Sequence, residues 1–196
     1  MKFVAVQNFT SLAELLRFYS DADEIVFNSP IGLSNPRLDE TVIAEACHEG
    51  RWLANRLRLR QGERPVEEIA ASYSCRIVRE AYQVAENKLV YLGECLLHST
   101  EGGAVIRINT DTIRLLAETL AQWANEAEQQ WFSEEKIGEV VIAHELFHLI
   151  EQREHSIAVE LAAHAFARAL TGLPFSPLLY NALVMRLMTG KKTLTI

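Results

Sequence analysis

The 196-residue sequence has little cysteine: Cys47, Cys75 and Cys95 are its whole complement. No two form a Cys-x-x-Cys pair, so neither a cysteine zinc site nor a disulfide framework is indicated. Such usage suits a reducing compartment, and a cytoplasmic location is expected. Long apolar runs are missing too, and nothing approaches the ~18 residues of a membrane-spanning helix. The opening Met1-Lys2-Phe3-Val4-Ala5-Val6 turns polar at Gln7 and Asn8, too soon for a signal-peptide core. Positive charge is outnumbered, with 19 Lys and Arg against 26 Asp and Glu and a net charge of -7. A chain of that sign repels phosphate backbones, so direct nucleic-acid binding is not expected; without a spanning stretch, a membrane partner is not expected either. Glycine-rich phosphate loops, serine nucleophile motifs, internal repeats and low-complexity tracts are all lacking. What is present is an ordinary globular composition, 49% hydrophobic and 23% charged. The length fits one domain, or one domain with a small appendage.

Along the chain, Leu12, Leu15, Leu16 and Phe18 suggest a short helix, residues 25–27 a strand, and residues 29–36 turns. From Asp39 to about Arg60 the pattern is helical, with Val42, Ala46, Trp52, Leu53, Leu57 and Leu59 recurring every three or four residues. Gln61 to Pro65 breaks it, and a short helix from Val66 to Ser72 follows. Three strands are then expected: Cys75–Arg79, Leu89–Leu97 and Ala104–Ile108. Gly102-Gly103 offers a hairpin between the last two. The remainder reads as helices. Asp111 can cap a long one with Ile113, Leu116, Leu120, Trp123, Ala127 and Trp131 on one stripe, reaching Phe132. Ser133 and Ser156 can cap two more, the second ending at Thr171-Gly172, and Ser176-Pro177 starts a last helix. The fold class predicted is α+β: a small sheet of about three strands flanked by several helices. Residues 1–61 form a helical N-terminal segment packed on the core, and residues 62–196 form the domain that carries the chemistry.

That chemistry centres on His144-Glu145-Leu146-Phe147-His148. The helix after Ser133 is apolar nearly all round, with Val140-Val141-Ile142-Ala143 before this run and Leu149-Ile150 after it. Polar groups set into such a surface are costly unless each finds a partner, and a metal ion is an economical one. Residues i and i+4 stand one above the other on a helix, so His144 and His148 can reach one ion at about 2.0–2.1 Å. Glu145, rotated about the axis, reaches past the ion to a water, where it can act as base while the metal lowers the water's pKa. The plain alternative is a buried helix whose two histidines are satisfied by hydrogen bonds.

A catalytic zinc usually has three protein ligands and an open position. Candidates for the third are Glu154, Glu160 and His164. A metzincin would need a histidine at position 154, which holds Glu154, and a turn glycine where Glu151 stands. Glu154 also lies near the end of the helix with no glycine to ease a tight return. Glu160 and His164 share a face of the following helix at i and i+4. Glu160 sits nearer the turn, and a carboxylate leaves the site less positive than a third imidazole. His164 is a candidate ligand or a donor to the bound water or transition state; the bland alternative is a core histidine.

The segment Glu160-Leu161-Ala162-Ala163-His164-Ala165-Phe166-Ala167 has the form E-x-x-A-x-x-F-A, downstream of H-E-x-x-H. That pairing resembles the ImmA/IrrE family of gluzincin-type metallopeptidases, over roughly residues 62–172. The lead-in is similar too: the helix Val66–Ser72, strands ending at Ile106-Arg107-Ile108-Asn109, then the motif helix. The resemblance implies a zincin-like peptidase domain with zinc held by His144, His148 and Glu160 and with Glu145 as the base. It also implies a protein or peptide substrate; some family members cut a helix-turn-helix transcriptional repressor. Two features depart from the family pattern: the long stretch Asp111–Phe132 before the motif helix, and Phe147 where many relatives carry glycine.

The expected function is therefore a zinc endopeptidase. A zinc-stabilised binding or regulatory protein without turnover, and a metallohydrolase of a non-peptide bond, are the alternatives. Glu145 speaks against the first, since metal binding alone does not need it. For the oxyanion, His164, Tyr91 and Tyr180 are candidates. His155 reads as a loop residue, and His48 and His98 lie in no motif. Arg51, Arg56, Arg58, Arg60 and Arg64 read as a solvated helix face, and Trp52, Trp123 and Trp131 as core or interface residues.

Overall fold

The computed structural model describes residues 12–20, 40–82, 92–99 and 102–188. Among them are eight helices and one three-stranded sheet, an α+β arrangement. Helix α1 (Leu12–Ser20) buries Leu12, Leu15 and Tyr19, and the Tyr19 carbonyl accepts from the Ser176 N–H at 2.6 Å. Helix α2 (Glu40–Gln61) buries Ile43, Ala46, Cys47, Gly50, Leu53, Ala54 and Leu57. Trp52 and Leu59, expected on this stripe, are instead 51% and 89% exposed. The row 46, 50, 53, 57 already fills the inward face, and at 3.6 residues per turn Trp52 and Leu59 fall outside it. The Arg56 guanidinium covers the Trp52 ring at 5.1 Å. Gly62, at φ 71°, turns the chain, and Pro65 leads into α3 (Val66–Ser72).

The sheet runs β1 (Cys75–Glu80), β3 (Ala104–Asn109), β2 (Gly93–Leu96) in space. β2 and β3 pair antiparallel, and the chain between them passes through Gly102 and Gly103, both at positive φ, as the sequence predicts. β1 pairs with β3 in parallel, from Cys75 opposite Ala104 to Glu80 opposite Asn109. Arg107 ties the three strands together: its guanidinium bonds Glu80 at 2.6 Å and Glu94 at 2.5 Å and lies 5.0 Å from the Tyr82 ring.

Helix α4 (Thr110–Ala121) follows β3 directly. Its cap is Asn109, not Asp111: Oδ1 accepts from the Thr112 N–H at 3.3 Å and Nδ2 donates to the Tyr82 carbonyl at 3.1 Å. The long helix expected to reach Phe132 is broken. α4 ends at Ala121, and a short α5 (Glu126–Gln129) restarts after Asn125. There the Asn125 side chain accepts from the Glu128 N–H and the Glu128 carboxylate from the Asn125 N–H, each at 3.1 Å. This reciprocal cap outcompetes the apolar stripe through Trp123, Ala127 and Trp131.

Helices α6 (Glu134–Glu151), α7 (Ile157–Thr171) and α8 (Leu178–Met188) complete the fold. Ser133 caps α6, Ser156 caps α7, and Gly172 at φ 67° ends α7, as the sequence predicts. α6 is buried over most of its length, with the sheet and α3 packed on it and α7 beside it. α7 lies between α6 and α2, and its contact with α2 is the most extensive in the fold. At Gly50 the two backbones come so close that a methyl group there would collide with the Ala162 carbonyl oxygen and the Phe166 nitrogen. The small residues of α7 thus serve α2 as well as the approach to α6. On the α6 side, the fully buried Phe147 and Phe166 rings meet at 5.6 Å, each burial contributing about 1.5–3 kcal/mol.

The strand expected at residues 25–27, the turns at 29–36 and the candidate Tyr91 lie outside the described residues. No described helix is long and apolar enough to cross a membrane.

Candidate metal centre

His144 and His148 stand one turn apart on α6, and the first turn of α7 brings Glu160 up to both. The Nε2 atoms of the two histidines are 3.2 Å apart. Glu160 Oε2 lies 3.3 Å from Nε2 of His144, and Oε1 lies 3.4 Å from Nε2 of His148. These three are, among the described residues, the one group of such donors close enough to hold an ion, all within 4.8 Å of one another. A tetrahedral ion with bonds of about 2.0–2.1 Å sets its ligands about 3.3–3.4 Å apart. The distance between the two imidazole nitrogens matches that spacing, and each imidazole has one Glu160 oxygen at a similar range, Oε2 for His144 and Oε1 for His148; two imidazoles with one carboxylate form a donor set that zinc accepts.

The groups of the site shift one another's proton affinities. Burial works against the Glu160 carboxylate, yet the hydrogen bonds from His144 and His155 and the nearby imidazole charges hold it well below the usual carboxylate range. Burial also disfavours a charged His144, but its bond to Glu160 and the Glu145 and Glu160 charges outweigh this and push it up. His148 is pushed down to about 4, by burial first and then by a cation on His144. Glu145, 9% exposed, is pushed up to about 7. Burial is the main cause; His144 and His155 pull the other way, and Glu160 and Glu94 add to the rise.

The structure assigns places to the other candidates. Glu154 is exposed and outside the donor group. The turn that was expected to need glycine is made by Gln152, in the left-handed region at φ 49°, whose N–H bonds the His148 carbonyl. His164 is 6% exposed and packs its ring on that of His144, centroids 4.5 Å apart. The Nδ1 atoms of His144 and His164 are both buried without a hydrogen-bond partner. The Tyr180 hydroxyl donates to the Trp131 carbonyl at 2.7 Å, which commits it to packing. Phe147 points into the core against Phe166 and the edge of His148, so its bulk does not fill the mouth of the site. In the arginine cluster, Arg58 bonds Glu63 and the Leu170 carbonyl, and Arg64 bonds Glu68 and Gln61.

Sequence reasoning missed two contributors. The first is Gly93, at the start of β2. A methyl group there would stand 2.5 Å from Val141 Cγ1, 3.0 Å from the Arg107 carbonyl oxygen and 3.6 Å from Glu145 Cγ. Only a glycine lets the strand end lie on α6 beside Glu145. A lone glycine inside a strand pattern is a sign of close backbone approach, and Leu92-Gly93-Glu94-Cys95 carried that sign. The second is His155, read as an ordinary loop residue, whose Nδ1 lies 3.1 Å from Glu160 Oε1.

Comparison with protein-family models, with curated proteins and with solved structures finds no match to this chain. The likeness to ImmA/IrrE metallopeptidases rests on the residues of α6 and α7.

Proposed function

We propose that the chain is a zinc-dependent peptidase that hydrolyses peptide bonds in a protein or peptide substrate. The observation that carries this reading is a group of two imidazoles and a carboxylate close enough to share one ion, next to a buried carboxylate that is not part of it. Zinc bound there would polarise a substrate carbonyl and make a water acidic near neutral pH. His144, His148 and Glu160 would hold the ion and leave one corner free. Glu145, with its proton affinity raised toward neutrality, takes a proton from the attacking water on its carboxylate and delivers it to the leaving amine. Its burial keeps bulk water from competing for that proton.

The edge of the sheet supports a peptide as the substrate. β2 pairs with β3 on one side only, and among the described residues no strand covers its other side. An extended peptide laid along that side finds backbone donors and acceptors. Gly93 brings the strand to Glu145, so a peptide bound there passes the base.

The test has two parts. Protein purified without chelator should carry one zinc per chain by elemental analysis. Absence of any transition metal, with no uptake on adding zinc, would sink the reading. Glu145→Gln should then keep fold and zinc while turnover of a cleaved peptide falls by at least ~10². Unchanged turnover would remove Glu145 as the base, and loss of zinc would make it a ligand.

A further inference from the structure

The metal donors come from two helices joined by the short loop 152–156, and that loop is pinned from several sides. Gln152 turns it in the left-handed region, Arg153 reaches Glu49 of α2 at 2.7 Å, and Ser156 caps α7 by accepting from the Val159 N–H at 3.3 Å. His155, between these anchors, keeps a side chain that is 79% exposed. Even so, its ring is not adrift: the centroid lies 5.0 Å from that of His148, and Nδ1 lies 3.1 Å from Oε1 of Glu160.

The direction of that hydrogen bond follows from the partner. A carboxylate that ligates a metal is ionised, and an ionised carboxylate can only accept. Nδ1 of His155 therefore carries the proton and donates. The two oxygens of Glu160 are then no longer equivalent: Oε1, 3.4 Å from Nε2 of His148, is also engaged by the loop, while Oε2 faces Nε2 of His144 at 3.3 Å. His155 does not itself belong to the donor group that closes within 4.8 Å.

We propose that His155 is a positioning residue of the metal centre: its Nδ1–H holds Oε1 of Glu160 so that the carboxylate meets the ion through Oε2 alone. This inference rests on the metal reading of the site. A carboxylate bound through one oxygen leaves room in the coordination sphere for water and substrate, whereas both oxygens would fill it. Partners that orient a metal ligand in this way typically contribute ~10–100-fold in metal affinity. The exposed ring also stands at the mouth of the site, where its loss would not open a cavity in the core.

The experiment measures zinc affinity of the full chain by competition with a chromogenic chelator, and the absorption spectrum of the cobalt(II)-loaded protein. His155→Ala should weaken zinc binding by ~10–100-fold and shift the cobalt bands as Glu160 turns to bind through both oxygens. His155→Asn places an amide N–H where Nδ1–H stands. It should restore the wild-type spectrum and bring affinity to within ~3-fold, as expected for a partner that orients a ligand. Wild-type affinity and spectrum in His155→Ala would overturn the proposal. So would a failure of Asn to rescue while circular dichroism shows an intact fold, or cobalt bands showing that an imidazole has left the metal. If the wild-type chain takes up neither zinc nor cobalt, the metal reading itself falls, which is a distinct result.

Discussion

Helix α7 meets a helix on each side and treats the two differently. Toward α2 it offers small side chains and bare backbone, and Gly50 lets the chains approach until nothing larger than hydrogen fits. Toward α6 it offers Glu160 and His164 along with Phe166, and so brings a carboxylate and an imidazole into an apolar interior. The first interface is close and built of small side chains, and its contribution is packing. The second places polar groups where burial costs free energy unless a partner arrives. The pairing teaches how such a centre is made tolerable: the α2 side fixes where α7 sits, so that the α6 side can be shaped by chemistry.

The sharpest way to break the contrast is at its polar side. Glu160→Ala should weaken zinc binding by ~10³-fold or more, about 4 kcal/mol, while the zinc-free protein loses roughly 1–2 kcal/mol, because His144 loses its carboxylate partner but can shed its proton. Zinc competition and urea denaturation check the two halves. A large loss of zinc-free stability would mean that the α6 side also carries the packing. Gly50→Val tests the other side. It should cost about 3 kcal/mol by forcing the backbones of α2 and α7 apart, to a similar extent with and without zinc. Tolerance of valine in a urea melt would show that α2 does not fix α7.

A smaller change acts on both interfaces at once. Ser156→Ala removes the cap of α7 and should cost about 1 kcal/mol of stability. Zinc affinity should follow only as far as the first turn, with Glu160 in it, frays. The smallest effect has the opposite sign. Gln152→Gly relieves a left-handed residue and should stabilise the fold by roughly 0.5 kcal/mol after glycine's extra chain entropy is subtracted. A lower melting temperature in that variant would show that the Gln152 side chain, not its backbone, matters at the turn.

How far the sequence foretells this arrangement depends on the distance over which each signal acts. The start of α6 and both ends of α7 were legible because Ser133, Ser156 and Gly172 act on backbone groups a few residues away. The hairpin was legible because Gly102-Gly103 needs only its own backbone freedom. His144, His148 and Glu160 could be named together from helical spacing and the likeness of two short motifs. The parallel pairing of β1 with β3 was not legible, since it joins segments that no turn connects. The break before α5 was written in Asn125 and Glu128, but the stripe through Trp123 and Trp131 concealed it. Trp52 and Leu59 look apolar and regular, yet the inward face of α2 was already filled. Gly50, Gly93 and His155 have meaning only through what stands opposite them, and one chain read in order does not show that.

The candidate ligands are also close together along the chain: His144 and Glu160 are sixteen positions apart, with one tight turn between. Joining points so near costs a flexible chain little entropy. An ion that binds there clasps a helical hairpin directly, without the sheet as an intermediary. Loss of structure under stress should therefore have an order, with amide exchange in β1 to β3 released first and protection around residues 144–160 outlasting it when zinc is bound. The metal would act as a late-opening buckle on one small part of the molecule.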